Sequence, residues 1–413
     1  MQAYNKYKNS NVDWLGQVPE HWEVENSKWL FALRNEKAQQ DDEMLTASQK
    51  YGMISQKKFM ELENQNVMQV IKNADILKHI EAGDFVISMR SFQGGLEYSS
   101  LSGAVSSAYV ALVPNEKVVH EFYKYLFKSP LFIQALQSTS NLVRDGQALR
   151  YNNFIQIRLP LPPIDEQEYL AKFLRKEVAR IDSLISEKER FITLLEEKRQ
   201  ALISHVVTKG LDDKVEMKDS GVEWIGDIPE HWDVIPLKFL CDLQTGDKDT
   251  QNADINGKYD FFVRAQKALK IDVFTHECEA VLTAGDGAGV GKVFFYTNDK
   301  FSFHQRVYMM NNFKKIKGKY FYLYLSSLFA SVALDGSAKS TVDSLRMPVF
   351  KNFMFTVPPK NEQEAILKYL DREYSRIDGL FEETKKSINL LKEHRSALIS
   401  AAVTGKIDVR EEV

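Results

Sequence analysis

The chain carries the same two short motifs twice, in the same order. Residues 14–22 read Trp-Leu-Gly-Gln-Val-Pro-Glu-His-Trp, and residues 224–232 read Trp-Ile-Gly-Asp-Ile-Pro-Glu-His-Trp. Residues 162–168 read Pro-Pro-Ile-Asp-Glu-Gln-Glu, and residues 358–364 read Pro-Pro-Lys-Asn-Glu-Gln-Glu. The segments between these motifs share little sequence. The repeated motifs thus form two matched frames, and the segments that they enclose, which we call the interiors, differ. This pattern predicts one scaffold that holds two different binding modules, which we call the readers.

Composition sets the broad class of protein. The chain has 413 residues, of which 44% are hydrophobic and 27% charged, as in globular proteins of roughly two or three domains. The N-terminus lacks the basic, apolar and small-residue pattern of a secretion signal. The most apolar stretch, residues 320–334, is shorter than the roughly 20 residues that span a bilayer, so we predict a buried helix there, with 122–126 as its counterpart. Cys241 and Cys278 lack disulfide or zinc spacing, which favours the cytoplasm.

The sequence offers no catalytic or cofactor motif. Residues 285–292 are rich in glycine, but Asp286 stands where a phosphate-binding loop needs glycine, and Val293 where it needs serine or threonine. No methyltransferase motif, HExxH motif or nuclease cluster is present. The net charge of −3 argues against a protein that coats nucleic acid, although a local basic surface is compatible with it. We therefore expect no catalytic centre, cofactor or metal.

A heptad pattern follows each Pro-Pro motif. Apolar residues recur at a 3.5-residue spacing from Leu174 to Val206, and the same register returns 196 residues later. Such a seam predicts two long helices, each packed against another helix, with the other copy as the candidate. Arg199 and Arg395 occupy equivalent seam positions, where they either pair with acidic residues or set the register. The predicted seam residues are Leu174, Ile181, Ile185, Ile192, Leu195, Leu202, Leu370, Ile377, Phe381, Ile388, Leu391 and Leu398.

Each interior contains a predicted strand that ends in a glycine-rich loop. The strand at 83–90 leads into residues 91–95, and the strand at 280–284 leads into residues 285–292. A polar stretch follows in each interior, just before the long helix. These side chains are of the types that contact base edges and phosphates, with solvated loops as the alternative. The predicted DNA-binding residues are Arg90, Ser91, Gln93, Arg144, Gln147, Arg150, Tyr151, Arg264, Gln266, Lys267, Lys292, His304, Arg306, Lys339 and Arg346.

On these paired motifs the sequence resembles the specificity subunits of type I restriction-modification systems, over essentially its whole length. The resemblance implies a mixed α/β (α+β) fold with target-recognition domains at 1–159 and 214–357. It also implies antiparallel spacer helices at 160–213 and 358–413. Each domain would read one half of an asymmetric bipartite site in double-stranded DNA. The helices would set the spacer and dock two methyltransferase subunits, which modify adenine, and restriction subunits would add an ATP-dependent nuclease and translocase.

Three points remain open at this level. Some members of that family carry short tetrapeptide repeats between the halves, and residues 208–221 carry none, so the spacer length is not predicted. A DNA-binding regulator that acts without methyltransferase partners, and a structural coiled-coil adaptor, are the alternative functions. We expect Trp14, Trp22, Trp224 and Trp232 to pack the recognition domains against the helices rather than to stack on bases.

Overall fold

The computed structural model describes residues 2–64, 76–140, 149–333 and 347–411. The chain divides into two compact units, which we call the first unit (Met1–Lys188 with Lys386–Val413) and the second unit (Glu189–Lys385). Each unit therefore combines one globular domain, the beginning of the long helix that follows it, and the end of the other long helix. This division does not follow consecutive stretches of the chain, because each helix contributes to both units.

The two long helices predicted from the heptads are present, at Ile164–Lys209 and Lys360–Val403. In the first unit Arg395 Nε lies 2.9 Å from Asp182 Oδ1. In the second unit Arg199 Nη1 lies 3.1 Å from Asp378 Oδ1. Both seam arginines thus pair with an aspartate of the facing helix. Of the predicted seam residues, Leu174, Ile181, Ile185, Leu195, Leu370, Ile377, Ile388 and Leu398 are buried, and Ile192, Leu202, Phe381 and Leu391 are half-buried.

The first unit is built around an antiparallel sheet with the strand order Phe31–Arg34, Val110–Pro114, Phe85–Ile87, Glu97–Tyr98. The ring of Phe31 forms the centre of its core, with the rings of Phe85 and Phe127 at 5.7 and 5.2 Å. The other strands are Tyr7–Asn9, Gln17–Pro19, Glu23–Asn26, Leu45–Ser48, Gly52–Ser55, Lys78–Ile80, Gly103–Val105 and Arg158–Leu161, and the short helices are Ser27–Leu30, Gln56–Glu63, Ser91–Gly94, His120–Lys128, Pro130–Ser138 and Tyr151–Phe154.

The second unit contains a larger mixed sheet with the strand order Asp242–Thr245, Val307–Asn311, His276–Ala284, Phe294–Phe303, Tyr259–Phe262, Leu269–Ile271. The predicted buried helix at 320–334 is found at Gly318–Ala333, where Tyr320 and Tyr324 are fully buried. Among the described residues, no helix combines the length and apolarity needed to cross a membrane. The remaining elements are the strands Met217–Asp219, Asp227–Pro229, Asp233–Pro236 and Met354–Val357, the 3-10 helices Leu237–Phe239, Thr250–Asn252 and Gly287–Gly289, and the helix Met347–Lys351.

The repeated motifs form the same joint in both units. Trp22 is fully buried and donates its indole N–H to Glu166, near the start of the first long helix, at 2.9 Å. Gly405, just past the end of the second long helix, lies against the same indole and has φ +70°, where a Cβ would stand 3.1 Å from the ring. Because Trp22 contacts the start of one helix and the end of the other, the two helix segments of this unit run antiparallel.

The second unit repeats this joint with Trp232. Its indole N–H donates to Glu362 at 2.9 Å, and Gly210, with φ +82°, packs against its ring. Trp22 and Trp232 therefore pack against the long helices as predicted, whereas Trp14 packs against the ring of Phe132 and Trp224 against that of Phe353. A short antiparallel pairing also closes each globular domain, since Arg158–Leu161 pairs with Glu23–Asn26, and Met354–Val357 pairs with Asp233–Pro236.

Candidate nucleic-acid interface

Two predicted arginines of the second unit meet at one carboxylate. Arg264 Nη1 lies 2.6 Å from Asp286 Oδ1, and Arg306 Nη1 lies 3.2 Å from Asp286 Oδ2. Arg264 follows the strand Tyr259–Phe262, Asp286 follows His276–Ala284, and Arg306 precedes Val307–Asn311. The cluster therefore joins side chains from three separate sequence segments. Both guanidinium groups remain substantially exposed, so their unused N–H groups face solvent.

An open cleft of about 430 Å³ lies beside this cluster. Its wall includes Arg264, Asp286 and the turn Gly287–Gly289. Gly287 lies beside Arg264 and has φ +75°, a backbone conformation that favours glycine. A cleft lined by an arginine, an aspartate and a glycine backbone offers both donors and acceptors, which suits the polar edge of a base.

His304 is a buried residue that holds the backbone of Arg306 in position. It is 4% exposed, and its Nδ1 accepts a hydrogen bond from the backbone N–H of Arg306 at 3.0 Å. Burial, followed by the nearby Arg264, lowers the pKa of the imidazole, so the ring is neutral at pH 7. A neutral, buried ring that accepts this backbone hydrogen bond positions Arg306, and its Nε2 lies 3.9 Å from Asp249 Oδ2.

The first unit presents Arg90 and Gln93 on a short glycine-rich turn. Both side chains are exposed, and the turn Ser91–Gly94 follows the strand Phe85–Ile87. Two side-chain hydrogen bonds hold the backbone of this turn in place. Gln137 Nε2 donates to Phe92 O at 2.6 Å, and Lys128 Nζ donates to Gly94 O at 3.0 Å. A cation on a fixed turn at the end of a sheet resembles the arrangement in the second unit, although the loops differ in sequence.

Three predicted contact residues have internal roles instead. Ser91 is fully buried, and its hydroxyl accepts from the backbone N–H of Ser88 at 2.8 Å, which stabilises the turn. Tyr151 donates its hydroxyl to Phe31 O at 3.3 Å, at the end of the sheet away from Arg90. His304 has the supporting role given above. Ser91 and His304 are buried, whereas Tyr151 is half-buried on the short helix Tyr151–Phe154.

The remaining predicted residues are placed as follows. Arg150, Gln266, Lys267 and Lys292 are exposed. Arg144, Gln147, Lys339 and Arg346 lie outside the described residues. Asp286 was not predicted, although its position between two glycines in the 285–292 loop was the signal that could have identified it. Among the described residues, no group of three or more His, Cys, Asp or Glu side chains is arranged to hold a metal ion.

The family follows from comparison with known proteins. The model of the type I restriction modification DNA specificity domain matches residues 19–191 and 229–390, so it recognises both halves of the chain. The chain therefore belongs to the family of type I restriction-modification DNA specificity domains.

Individual relatives agree with this assignment. The specificity subunit of type I restriction enzyme MjaVIII from Methanocaldococcus jannaschii is 24% identical over 446 residues, which cover 99% of this chain and 98% of that protein. The specificity subunit of type I restriction enzyme EcoDI from Escherichia coli is 28% identical over 182 residues, 44% of this chain and 40% of that subunit.

Solved structures share the fold. A chain from a structure concerned with complex assembly and conformational transition of the type I R-M system aligns with a TM-score of 0.71 at 16% identity, covering 94% of this chain and 99% of that one. The HsdS subunit from Thermoanaerobacter tengcongensis aligns with a TM-score of 0.56 at 15% identity, covering 94% and 98%.

Proposed function

We propose that this chain directs a type I restriction-modification complex to an asymmetric bipartite site in double-stranded DNA, with each unit reading one half-site. The observation that carries the proposal is the duplicated joint around two unlike interiors, each with an exposed arginine on or beside a glycine-rich turn. Equivalent joints attach each reader to the long helices in the same way. Because the interiors differ, the two half-sites differ in sequence.

The chemistry of reading is clearest in the second unit. An arginine can donate two parallel hydrogen bonds to guanine O6 and N7, or to a phosphate. Asp286 uses one nitrogen of each guanidinium and leaves the others for DNA. A carboxylate that holds both side chains also reduces the conformational entropy lost on binding, because fewer rotamers must be given up.

In this proposal the chain supplies address and assembly, and its partners supply the chemistry. The first long helix has 46 residues, which corresponds to about 70 Å of α-helix. Such rods fix the distance between half-sites and dock two methyltransferase subunits. The methyltransferases modify adenine, which must leave the base stack, and restriction subunits add DNA cleavage.

Sequencing of methylated adenines tests the proposal directly. DNA from cells that express this chain with its methyltransferase is compared with DNA from cells that express the methyltransferase alone. We expect a split, asymmetric motif that is methylated only when the chain is present. If an active methyltransferase forms a complex with the chain and still yields no split motif, the proposal fails.

Variants then separate the two readers. Arg264→Ala combined with Arg306→Ala should relax or abolish recognition of one half-site, and Arg90→Ala should affect the other. Lys270→Ala is the matched control, because Lys270 is an exposed cation of the second unit that pairs with Asp260 and lies outside the arginine cluster. Loss of both half-sites from either arginine variant would contradict separate readers.

A further inference from the structure

Two large aromatic side chains are exposed at equivalent positions of the two units. Trp29 is 63% exposed and Phe239 is 64% exposed. They lie 15 residues after Trp14 and Trp224 respectively, so the repeat aligns them with each other. The residue before each is a lysine, Lys28 or Lys238. We call the short helix Ser27–Leu30 and the 3-10 helix Leu237–Phe239 the Lys-aromatic turns.

Both turns are held by the same backbone contact. Ser27 N donates to Ile157 O at 3.0 Å in the first unit, and Leu237 N donates to Phe353 O at 2.9 Å in the second. Ser27 and Leu237 are buried, so each turn is anchored while its aromatic ring points to solvent. The rings are therefore presented on rigid supports, which is typical of a docking residue and not of a misplaced core residue.

The lysine stays beside the ring in both units. Lys28 Nζ lies 4.8 Å from the Trp29 ring centroid, and Lys238 Nζ lies 5.3 Å from that of Phe239. An apolar ring with an adjacent cation is complementary to an apolar recess rimmed by carboxylates. Aromatic residues of this kind dominate the binding energy of protein interfaces.

The turns lie at the ends of the sheets away from the glycine-rich loops. In the first unit Phe31, two residues after Trp29, pairs with Pro114, whereas Ile87, which leads to Arg90, pairs with Val110 at the other end of the same strand. In the second unit Asp242, three residues after Phe239, pairs with Asn311, whereas the arginine cluster adjoins Val307. A surface remote from the arginines favours a protein partner over DNA bases.

We propose that the Lys-aromatic turns are two equivalent docking points for the two copies of the methyltransferase subunit, each of which accepts the ring in an apolar, carboxylate-rimmed recess. The inference rests on the proposed function, which requires one partner subunit to bind the chain twice. A partner that binds twice needs the same surface twice. The sequences of the interiors otherwise differ, whereas the Lys-aromatic turns recur in both, 15 residues after Trp14 and Trp224.

The test uses the full-length chain co-purified with its methyltransferase. Native mass spectrometry gives the number of methyltransferase copies, and titration gives the dissociation constant for each variant. Trp29→Ala or Phe239→Ala should leave one tightly bound copy, and the double variant should bind both copies at least about tenfold more weakly. Trp29→Phe should retain both copies, because phenylalanine already serves in the second unit.

Matched controls remove an exposed apolar side chain elsewhere in each unit. Leu101→Ala in the first unit and Ile255→Ala in the second should leave both copies bound. All variants should remain folded at the assay temperature, as their thermal unfolding checks, because each removed side chain is at least 40% exposed.

The outcomes distinguish the inference from the proposed function. A double variant that binds two copies with wild-type affinity overturns the docking role and leaves the proposed function intact. A double variant that keeps both copies but binds DNA more weakly assigns the turns to DNA and likewise overturns it. If the wild-type chain binds no methyltransferase, the proposed function fails and the inference fails with it.

Discussion

The glutamate of the His-Trp-Glu joint is buried in the first unit and partly exposed in the second. In the first unit Glu166 is 4% exposed in its side chain and accepts from three groups: the Tyr4 hydroxyl at 2.5 Å, His21 Nε2 at 2.6 Å and the Trp22 indole at 2.9 Å. In the second unit Glu362 is 36% exposed and has two such partners, His231 and Trp232. An identical motif thus operates in two different dielectric environments.

The difference in exposure between Glu166 and Glu362 accompanies one substitution in the repeat, at the position of Tyr4. Lys214 is exposed at the position equivalent to Tyr4, and a cleft lined by Leu211, Val215 and Glu362 opens there. In the first unit Tyr4 fills that place, and the Arg410 guanidinium lies 5.2 Å from its ring. Burial makes each polar group more dependent on its partner, so the first joint should be the more sensitive of the two.

The largest expected effect compares the helix seams of the two units. Ile388 is 6% exposed in the first unit, whereas its counterpart in the repeat, Ile192, is only half-buried in the second. Ile388→Asp should destabilise the first unit by about 4 kcal/mol, as expected for an unpaired buried charge, and Ile192→Asp should cost the second unit about 1 to 2 kcal/mol. Ile185→Asp should resemble Ile388→Asp.

Hydrogen exchange measured by mass spectrometry on peptides from each unit reports the two stabilities separately. Leu390→Asp is the control, since Leu390 is exposed on the same helix as Ile388. Equal losses from Ile388→Asp and Ile192→Asp would show that the seams are equally buried in solution.

The next effect breaks the joints themselves. Glu166→Ala leaves two buried donors, the Tyr4 hydroxyl and the Trp22 indole, without an acceptor, and should cost about 3 kcal/mol, because each unsatisfied buried group costs about 1 to 3 kcal/mol. Glu362→Ala should cost less, about 1 to 2 kcal/mol, since it leaves only one buried donor, the Trp232 indole, and the other donor, His231, is exposed. The same exchange measurement compares them, with the exposed Glu168→Ala as the control. A larger loss from Glu362→Ala would reverse the comparison.

A smaller effect removes only the hydroxyl that distinguishes the two joints. Tyr4→Phe deletes one hydrogen bond to a carboxylate and should destabilise the first unit by about 1.5 kcal/mol. The second unit should be unchanged. Urea unfolding, followed by exchange in each unit, measures both, and Tyr109→Phe is a control tyrosine in the first unit. Wild-type stability in Tyr4→Phe would mean that the ring alone excludes water from Glu166.

The smallest effect is a pH dependence. Burial first, and then the hydrogen bond to Glu166, raise the pKa of the Tyr4 phenol. Stability from a group with a raised folded pKa is fully present below its unfolded pKa, about 10 for tyrosine, and is lost as the pH rises above it. The difference in stability between wild type and Tyr4→Phe should therefore be constant from pH 7 to 9 and narrow above about pH 10. A difference that widens there would contradict the assigned hydrogen bond.

Much of the architecture was predictable because periodicity and repetition are local properties of a sequence. The heptads from Leu174 onward predicted helices that the structure has at Ile164–Lys209 and Lys360–Val403. The apolar stretch at 320–334 predicted the helix at Gly318–Ala333. The candidate site was predictable only in part. Arg90, Arg264 and Arg306 are exposed, whereas Ser91 and His304 are buried and Tyr151 is half-buried, with its hydroxyl bonded to Phe31 O.

By itself the sequence determined that this protein is a duplicated frame with two different interiors and two long helices, because motif order and apolar spacing survive without coordinates. Only the tertiary structure decided that Asp286 pairs with two arginines, that both helices contribute to both units, and that Glu166 is buried while Glu362 is 36% exposed. The physical reason is that burial and the pairing of distant side chains depend on contacts between segments far apart in the chain, and residue type at one position does not specify them.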